Sequence, residues 1–213
     1  MTNTFHTPLD NGEYYFHVEG VELSEELREV LVEQSKQKTL PRWDNIHDKE
    51  IVSRFDVRDL PEIYNTIDKV TTHPAFDGCS YVWNAHKPEM KILWEILHPE
   101  AHKKVAYIIL QGTQPNGFMS PHRDWETMQE RRKAVMFLPL TPYSPEKWEP
   151  LTFYEDNGHT ERVKVEFSPC YVADTRKIHG FENNDNYRAV AAIAFSCGVE
   201  TLYKLHSKGM LIT

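Results

Sequence analysis

Cysteine is scarce: the 213 residues hold three, Cys79, Cys170 and Cys197, and no two share a CxxC spacing. A sparse, odd set excludes a disulfide framework and fits reduced thiols in a cytoplasmic compartment. Long apolar runs are missing too. The longest uncharged apolar stretch, Ala189 to Val199, falls well short of the about 20 residues a transmembrane helix needs. The opening MTNTFHTPLDNGEYY has neither the basic nor the apolar region of a signal peptide, so a soluble, cytoplasmic protein is expected. Positive charge is outweighed, with 24 Lys and Arg against 32 Asp and Glu and a net charge of −8. Such a chain has no global attraction to phosphate backbones, so neither nucleic acid nor a membrane is an expected partner. One basic run, Arg131-Arg132-Lys133, lies close to Glu126 and Glu130 and reads as a solvated turn. Repeats, low-complexity tracts and Gly/Ser linkers are also absent. What is present is a hydrophobic fraction of 40% with 12% aromatics, enough for a real core and unlike a disordered chain.

The length suits one domain, 1–213, whose halves differ in pattern. Ser24 is placed to cap a helix running to about Lys38, with Glu25 and Glu26 in its first turn and Leu27, Val30, Leu31 and Gln34 as its buried stripe. Asp59 and Pro61 would open a second helix that buries Ile63, Ile67 and Val70. Residues 1–103 therefore read as a mostly helical support. From Lys104 the pattern changes to short β-type runs: Val105–Gln111, Ala134–Leu140, Leu151–Tyr154, Arg162–Phe167, Cys170–Asp174 and Arg188–Phe195. Strands at this spacing predict a sandwich or barrel of mostly antiparallel pairing over 104–198, with 199–213 as a C-terminal tail. The fold class expected is α+β.

The chemistry is concentrated in SPHRDWE and DTRKIHGFENNDNYRAV. A His two residues before an acid is weak by itself, since His17/Glu19, His98/Glu100 and His159/Glu161 repeat it. His122 and Asp124 differ in context, because they follow a strand and the Pro115-Asn116-Gly117 turn. In extended chain they project to one side and Arg123 to the other. His179, expected at the end of a strand-like segment, would complete a set of two histidines and one carboxylate. That is the donor set of a non-heme Fe(II) site that keeps positions open. Arg188, nine residues on, would return beside His179 through a hairpin and offers a fork-shaped charge to a dicarboxylate. Val190, Ala192 and Ala194 would share its face and leave room inside the barrel, or simply pack tightly.

His122, Asp124, His179 and Arg188, in this order and context, resemble the Fe(II)/2-oxoglutarate-dependent dioxygenase superfamily. The similarity spans roughly residues 104–198. PNGFMSPHRD and DTRKIHGFENNDNYRAV are most similar to its aspartyl/asparaginyl β-hydroxylase-like group, which includes free-proline hydroxylases. The resemblance implies a double-stranded β-helix, or jelly-roll, core with N-terminal supporting helices. It also implies Fe(II) held by His122, Asp124 and His179, 2-oxoglutarate anchored at Arg188, O2 as oxidant, and release of succinate and CO2. Tyr107 is the candidate for a hydroxyl beside Arg188. Asp124 stands where the eponymous aspartyl hydroxylases have glycine, so their substrate does not carry over. Related halogenases lack the carboxylate as well, so Asp124 favours hydroxylation. Ala194 stands where DNA-repair dealkylases place a second arginine, which weakens a nucleobase reading.

For the substrate, Trp125 and Glu126 follow the metal motif, Trp148 lies in the proline-rich segment 141–150, and Arg42 with Trp43 could meet a carboxylate and an apolar side chain. The leading expectation is hydroxylation of an unactivated C–H in a small molecule, a free amino acid or related metabolite. The same chemistry on a peptide or protein side chain is the alternative. A cupin-like metal barrel without oxygenase activity would have no use for Arg188. In a purely structural domain, the ligand set would be accidental.

Overall fold

The computed structural model describes residues 14–36, 70–72, 79–82, 88–124, 133–141 and 143–213. The first half supplies β1 (Tyr15–His17), α1 (Glu25–Ser35), β2 (Val70–Thr72), β3 (Cys79–Val82), α2 (Pro88–Glu95) and α3 (Pro99–His102). The second half supplies β4 (Val105–Thr113), β5 (Phe118–His122), β6 (Ala134–Thr141), β7 (Thr152–Tyr154), β8 (Glu161–Lys164) and β9 (Tyr171–Ala173). It continues with β10 (His179–Glu182), β11 (Arg188–Phe195) and α4 (Val199–His206). The strands form two antiparallel sheets, one ordered β1-β9-β6-β11-β4-β3-β2 and the other β5-β10-β7-β8. This is an α+β protein. Among the described residues no helix is long and apolar enough to cross a membrane.

Alternation along the central strands sorts their side chains into two cores. On β11, Ala189, Ala191, Ile193 and Phe195 face the helices and pack with Leu31 of α1, Leu93 of α2 and Leu202 of α4. Val190, Ala192 and Ala194 face inward and pack with Ile109, Phe137 and Tyr171 of the same sheet, and with Met119, Phe153 and Phe181 of the smaller one. Both faces of β11 are covered, which is why RAVAAIAF reads as an unbroken apolar run although it alternates in space.

Ser24 caps α1 as expected, its hydroxyl accepting from the Leu27 N–H at 3.2 Å. Leu31 and Gln34 are buried, whereas Val30, expected in the stripe, is exposed. Gln34 reaches across to Glu89 of α2 (3.1 Å), and the Arg28 guanidinium lies 3.5 Å over the Tyr143 ring, tying α1 to the loop after β6. The helix expected from Asp59 lies outside the described residues except for Val70. That residue opens β2 instead, pairing with Val82 within a β-branched Val-Thr-Thr run suited to a strand.

Both ends hold elements beyond those expected. The first hundred residues contribute β1, β2 and β3 to the larger sheet as well as helices. Residues 199–213, expected as a tail, contain α4. Val199 and Leu202 are buried there, Tyr203 meets Phe16 edge-on, and His206 stacks on the same ring.

Candidate metal centre

The smaller sheet brings the two histidines together. In the β5–β10 pairing His122 lies opposite His179, with ring centroids 4.5 Å apart. Asp124, two residues beyond His122, is drawn in by its N–H, which donates to the Thr175 carbonyl at 3.1 Å. One carboxylate oxygen then sits 3.3 Å from His122 Nε2 and 3.8 Å from His179 Nε2. One ligand atom from each residue falls within a 4.8 Å cluster. His179 and Asp124 are 1% and 4% exposed, and His122 is half-buried.

Hydrogen bonds set the tautomers. His122 Nδ1 donates to the Ser120 carbonyl (2.8 Å) and His179 Nδ1 to the Lys177 carbonyl (2.9 Å). A carbonyl can only accept, so each Nδ1 carries the proton and each Nε2 lone pair is turned to the common centre. Backbone-oriented imidazoles of this kind are what metal-binding histidines need. The donor set of two neutral imidazoles and one carboxylate fits Fe(II) with open positions.

His179 begins β10 and does not end a strand. The expected segment stops because Asp174-Thr175-Arg176-Lys177 forms a turn, with the Lys177 N–H on the Asp174 carbonyl and the Arg176 N–H on the Asp174 side chain. The Arg176 guanidinium grips both Asp174 oxygens at 2.7 and 2.8 Å and reaches Glu200 of α4 at 3.0 Å. The helix at the C-terminal end thus braces the turn whose Lys177 carbonyl orients His179.

Gly180 lets the ligand strands close. A Cβ there would lie 2.5 Å from the Met119 carbonyl oxygen and 3.1 Å from Pro121 N, both backbone atoms of β5. Gly180→Ala should therefore push β10 from β5 and cost about 1–3 kcal/mol, the usual penalty of overpacking. Thermal melting with and without Fe(II) should show both a lower midpoint and a weaker metal response.

Arg188 reaches the interior by another route than expected. β10 and β11 belong to different sheets, so the Asn183–Tyr187 turn is a crossover and not a hairpin. The Asn183 amide fastens that turn, donating to the Gln114 and Asn186 carbonyls at 2.7 Å, and the Asn116 N–H donates to the Asn184 carbonyl. Arg188 is 4% exposed and its guanidinium lies 4.1 Å over the Phe181 ring, two residues beyond His179.

Tyr107 does not lie beside it. Tyr107 pairs with Ala194, while Arg188 pairs with Thr113. Six residues of strand, roughly 20 Å at about 3.3 Å each, separate the two levels. Tyr171 is the better placed hydroxyl. It is fully buried on the inner face, stacked on Phe137 (5.2 Å) and met edge-on by Trp148 (6.3 Å), and its oxygen has no hydrogen-bond partner among the described residues. Burial pushes its phenol up, and the Arg188 charge pulls against that shift, so the guanidinium is within electrostatic reach. Trp148 is a wall residue, its indole N–H donating to the Val165 carbonyl at 2.8 Å and its ring meeting Phe167. Trp125, Glu126, Arg42 and Trp43 lie outside the described residues.

Sequence reasoning missed Tyr171 and Glu149. Glu149 is a buried carboxyl in the loop before β7, with Oε1 accepting from the Asn184 N–H at 2.8 Å. Inward alternation marks Tyr171 no more than Tyr107. An acid between Trp148 and Pro150 carries no local sign that it is buried.

No protein-family model matches the chain, and no curated protein matches its sequence. Solved structures match its fold. SnoN, a non-heme alpha ketoglutarate dependent epimerase from nogalamycin biosynthesis, matches with a TM-score of 0.50 at 15% identity, over 85% of this chain and 76% of SnoN. A Pseudomonas putida prolyl-4-hydroxylase gives 0.44 at 14% identity, over 87% and 94%. EvdMO1 gives 0.40 at 19% identity over 54% of this chain, which spans only 34% of that protein. At 15% identity the likeness to SnoN is one of fold.

Proposed function

We propose that this protein is an Fe(II)- and 2-oxoglutarate-dependent dioxygenase that hydroxylates a small molecule, a free amino acid or related metabolite. The observation that carries this is the His122, Asp124, His179 cluster, with both Nδ1 atoms held by carbonyls and Asp124 and His179 buried, beside a buried arginine. The sheet orders support a jelly-roll core. Counted from β4 to β11 as strands one to eight, the sheets run 6-3-8-1 and 2-7-4-5, the eight-strand double Greek key. SnoN, of like fold, is itself non-heme and alpha ketoglutarate dependent. Fe(II), with 2-oxoglutarate and O2, would supply oxidising power that side chains lack, with succinate and CO2 released.

The chain's own residues bind and orient. His122, Asp124 and His179 would hold the metal from one side. Arg188, seated over the Phe181 ring, would take the far carboxylate of 2-oxoglutarate in a charge-assisted pair. The Tyr171 hydroxyl would donate a second bond to it. Val190, Ala192 and Ala194 are small and inward, and the apolar wall of Phe137, Phe153 and Phe181 keeps water out.

An unsatisfied buried hydroxyl is a cost without ligand and a gain with one, so Tyr171→Phe has two opposed effects. The empty protein should be at least as stable, whereas 2-oxoglutarate should bind about 10–100-fold more weakly, as for a lost bond to a charged group of about 1.5–3 kcal/mol. Thermal melts and anaerobic titration check the two arms. Substrate class is tested by succinate release across a panel of free amino acids and metabolites. One member should stimulate release and disappear with it. A silent panel beside stimulation by peptides would turn the reading to a peptide hydroxylase.

A further inference from the structure

With Arg188 taken as the cosubstrate's anchor, we infer that Glu149 is a positioning residue that shares its guanidinium with the incoming carboxylate, so that 2-oxoglutarate binding delivers a proton to Glu149. Glu149 is 4% exposed, and its Oε2 has no hydrogen-bond partner among the described residues. Its Oε1 is fixed by the Asn184 N–H at 2.8 Å, on the turn that leads into Arg188 four residues later. The loop carrying it is held on both sides, by Trp148 on the Val165 carbonyl and by Arg28 over Tyr143. A buried carboxyl is therefore fastened to the turn that leads into Arg188.

Among the described residues, three act on Glu149. Arg188 comes from β11, and the Asn184 N–H and Asp185 carboxylate come from the crossover turn. On its own loop Glu146 and Lys147 are exposed. Burial pushes the Glu149 carboxyl above the usual range. The Asn184 bond and Arg188 pull it down, and Asp185 pushes it up again. A buried cation balances one carboxylate well and two poorly, because the second brings repulsion and desolvation without a further counter-charge. The far carboxylate of 2-oxoglutarate would raise Glu149 further, and protonation relieves the conflict. The sign follows from linkage. A group whose pKa rises on binding takes up a proton, so affinity grows as pH falls from above the bound-state pKa toward the free-state pKa, by at most about tenfold per pH unit.

Anaerobic calorimetric titration of the Fe(II)-loaded protein with 2-oxoglutarate, in buffers of different ionisation enthalpy near neutral pH, reads proton uptake directly. The parent protein should take up a substantial fraction of one proton per cosubstrate bound and bind more tightly as pH falls. Glu149→Gln should take up none and lose the pH dependence, while Asp185→Asn should keep both. Binding by the parent without proton uptake overturns the inference, and so does uptake of equal size in Glu149→Gln. A parent that binds Fe(II) but no 2-oxoglutarate at any pH overturns the anchor at Arg188 as well, which separates the two failures.

Discussion

Arg188→Ala should weaken 2-oxoglutarate by roughly two to three orders of magnitude and leave Fe(II) affinity nearly unchanged. The guanidinium is buried over the Phe181 ring, so a carboxylate delivered there is enclosed with it. Removing one partner of a buried pair costs about 3–5 kcal/mol, and each tenfold in affinity is about 1.4 kcal/mol. Arg188→Lys should fall between, because an ammonium keeps the charge but loses the two-pronged geometry. The concentration dependence of succinate release at fixed iron separates the three proteins. Equal dependence would mean that another residue anchors the cosubstrate.

Replacing Asp124, His122 or His179 by Ala should abolish tight Fe(II) binding while the fold persists. Loss of a mere orienting partner costs about 10–100-fold in metal affinity, so loss of a ligand should exceed that. Asp124 is buried at the meeting point of both Nε2 atoms. Thermal melting gives a clean readout. Metal at about 100 times its dissociation constant adds about 2.7 kcal/mol to stability, and Asp124→Ala should lose that gain without a lower midpoint in the metal-free state. Full retention of the Fe(II)-induced stabilisation would remove this residue from the site.

The metal set was legible because its information is local. His122 closes β5 and Asp124 follows two residues on, so two of the three ligands come from one short stretch of sequence. The central strands were legible for a similar reason, since RAVAAIAF and AVMFLPLT are apolar enough to be strands covered on both faces. What failed was longer in range. The Asn-rich turn before Arg188 is a turn either way, and whether it returns to the same sheet or crosses to the facing one depends on which strands flank β11. Tyr107 and Tyr171 are both inward on strands, and only register tells that Tyr107 pairs with Ala194 while Tyr171 lies opposite Phe137. The three-residue strand β1 is too short to show alternation. In α4 the signal was present, since Val199, Leu202 and Tyr203 have helical spacing that the expectation of a tail passed over.

Anaerobic absorption spectroscopy tests most directly whether Fe(II) and 2-oxoglutarate bind together at the His122, Asp124, His179 cluster. Fe(II) is added to the protein without oxygen, and 2-oxoglutarate is then titrated in. A weak visible metal-to-ligand charge-transfer band should grow and saturate with 2-oxoglutarate, and should be absent in Asp124→Ala. Protein that binds Fe(II) tightly yet develops no such band at saturating 2-oxoglutarate would contradict the account.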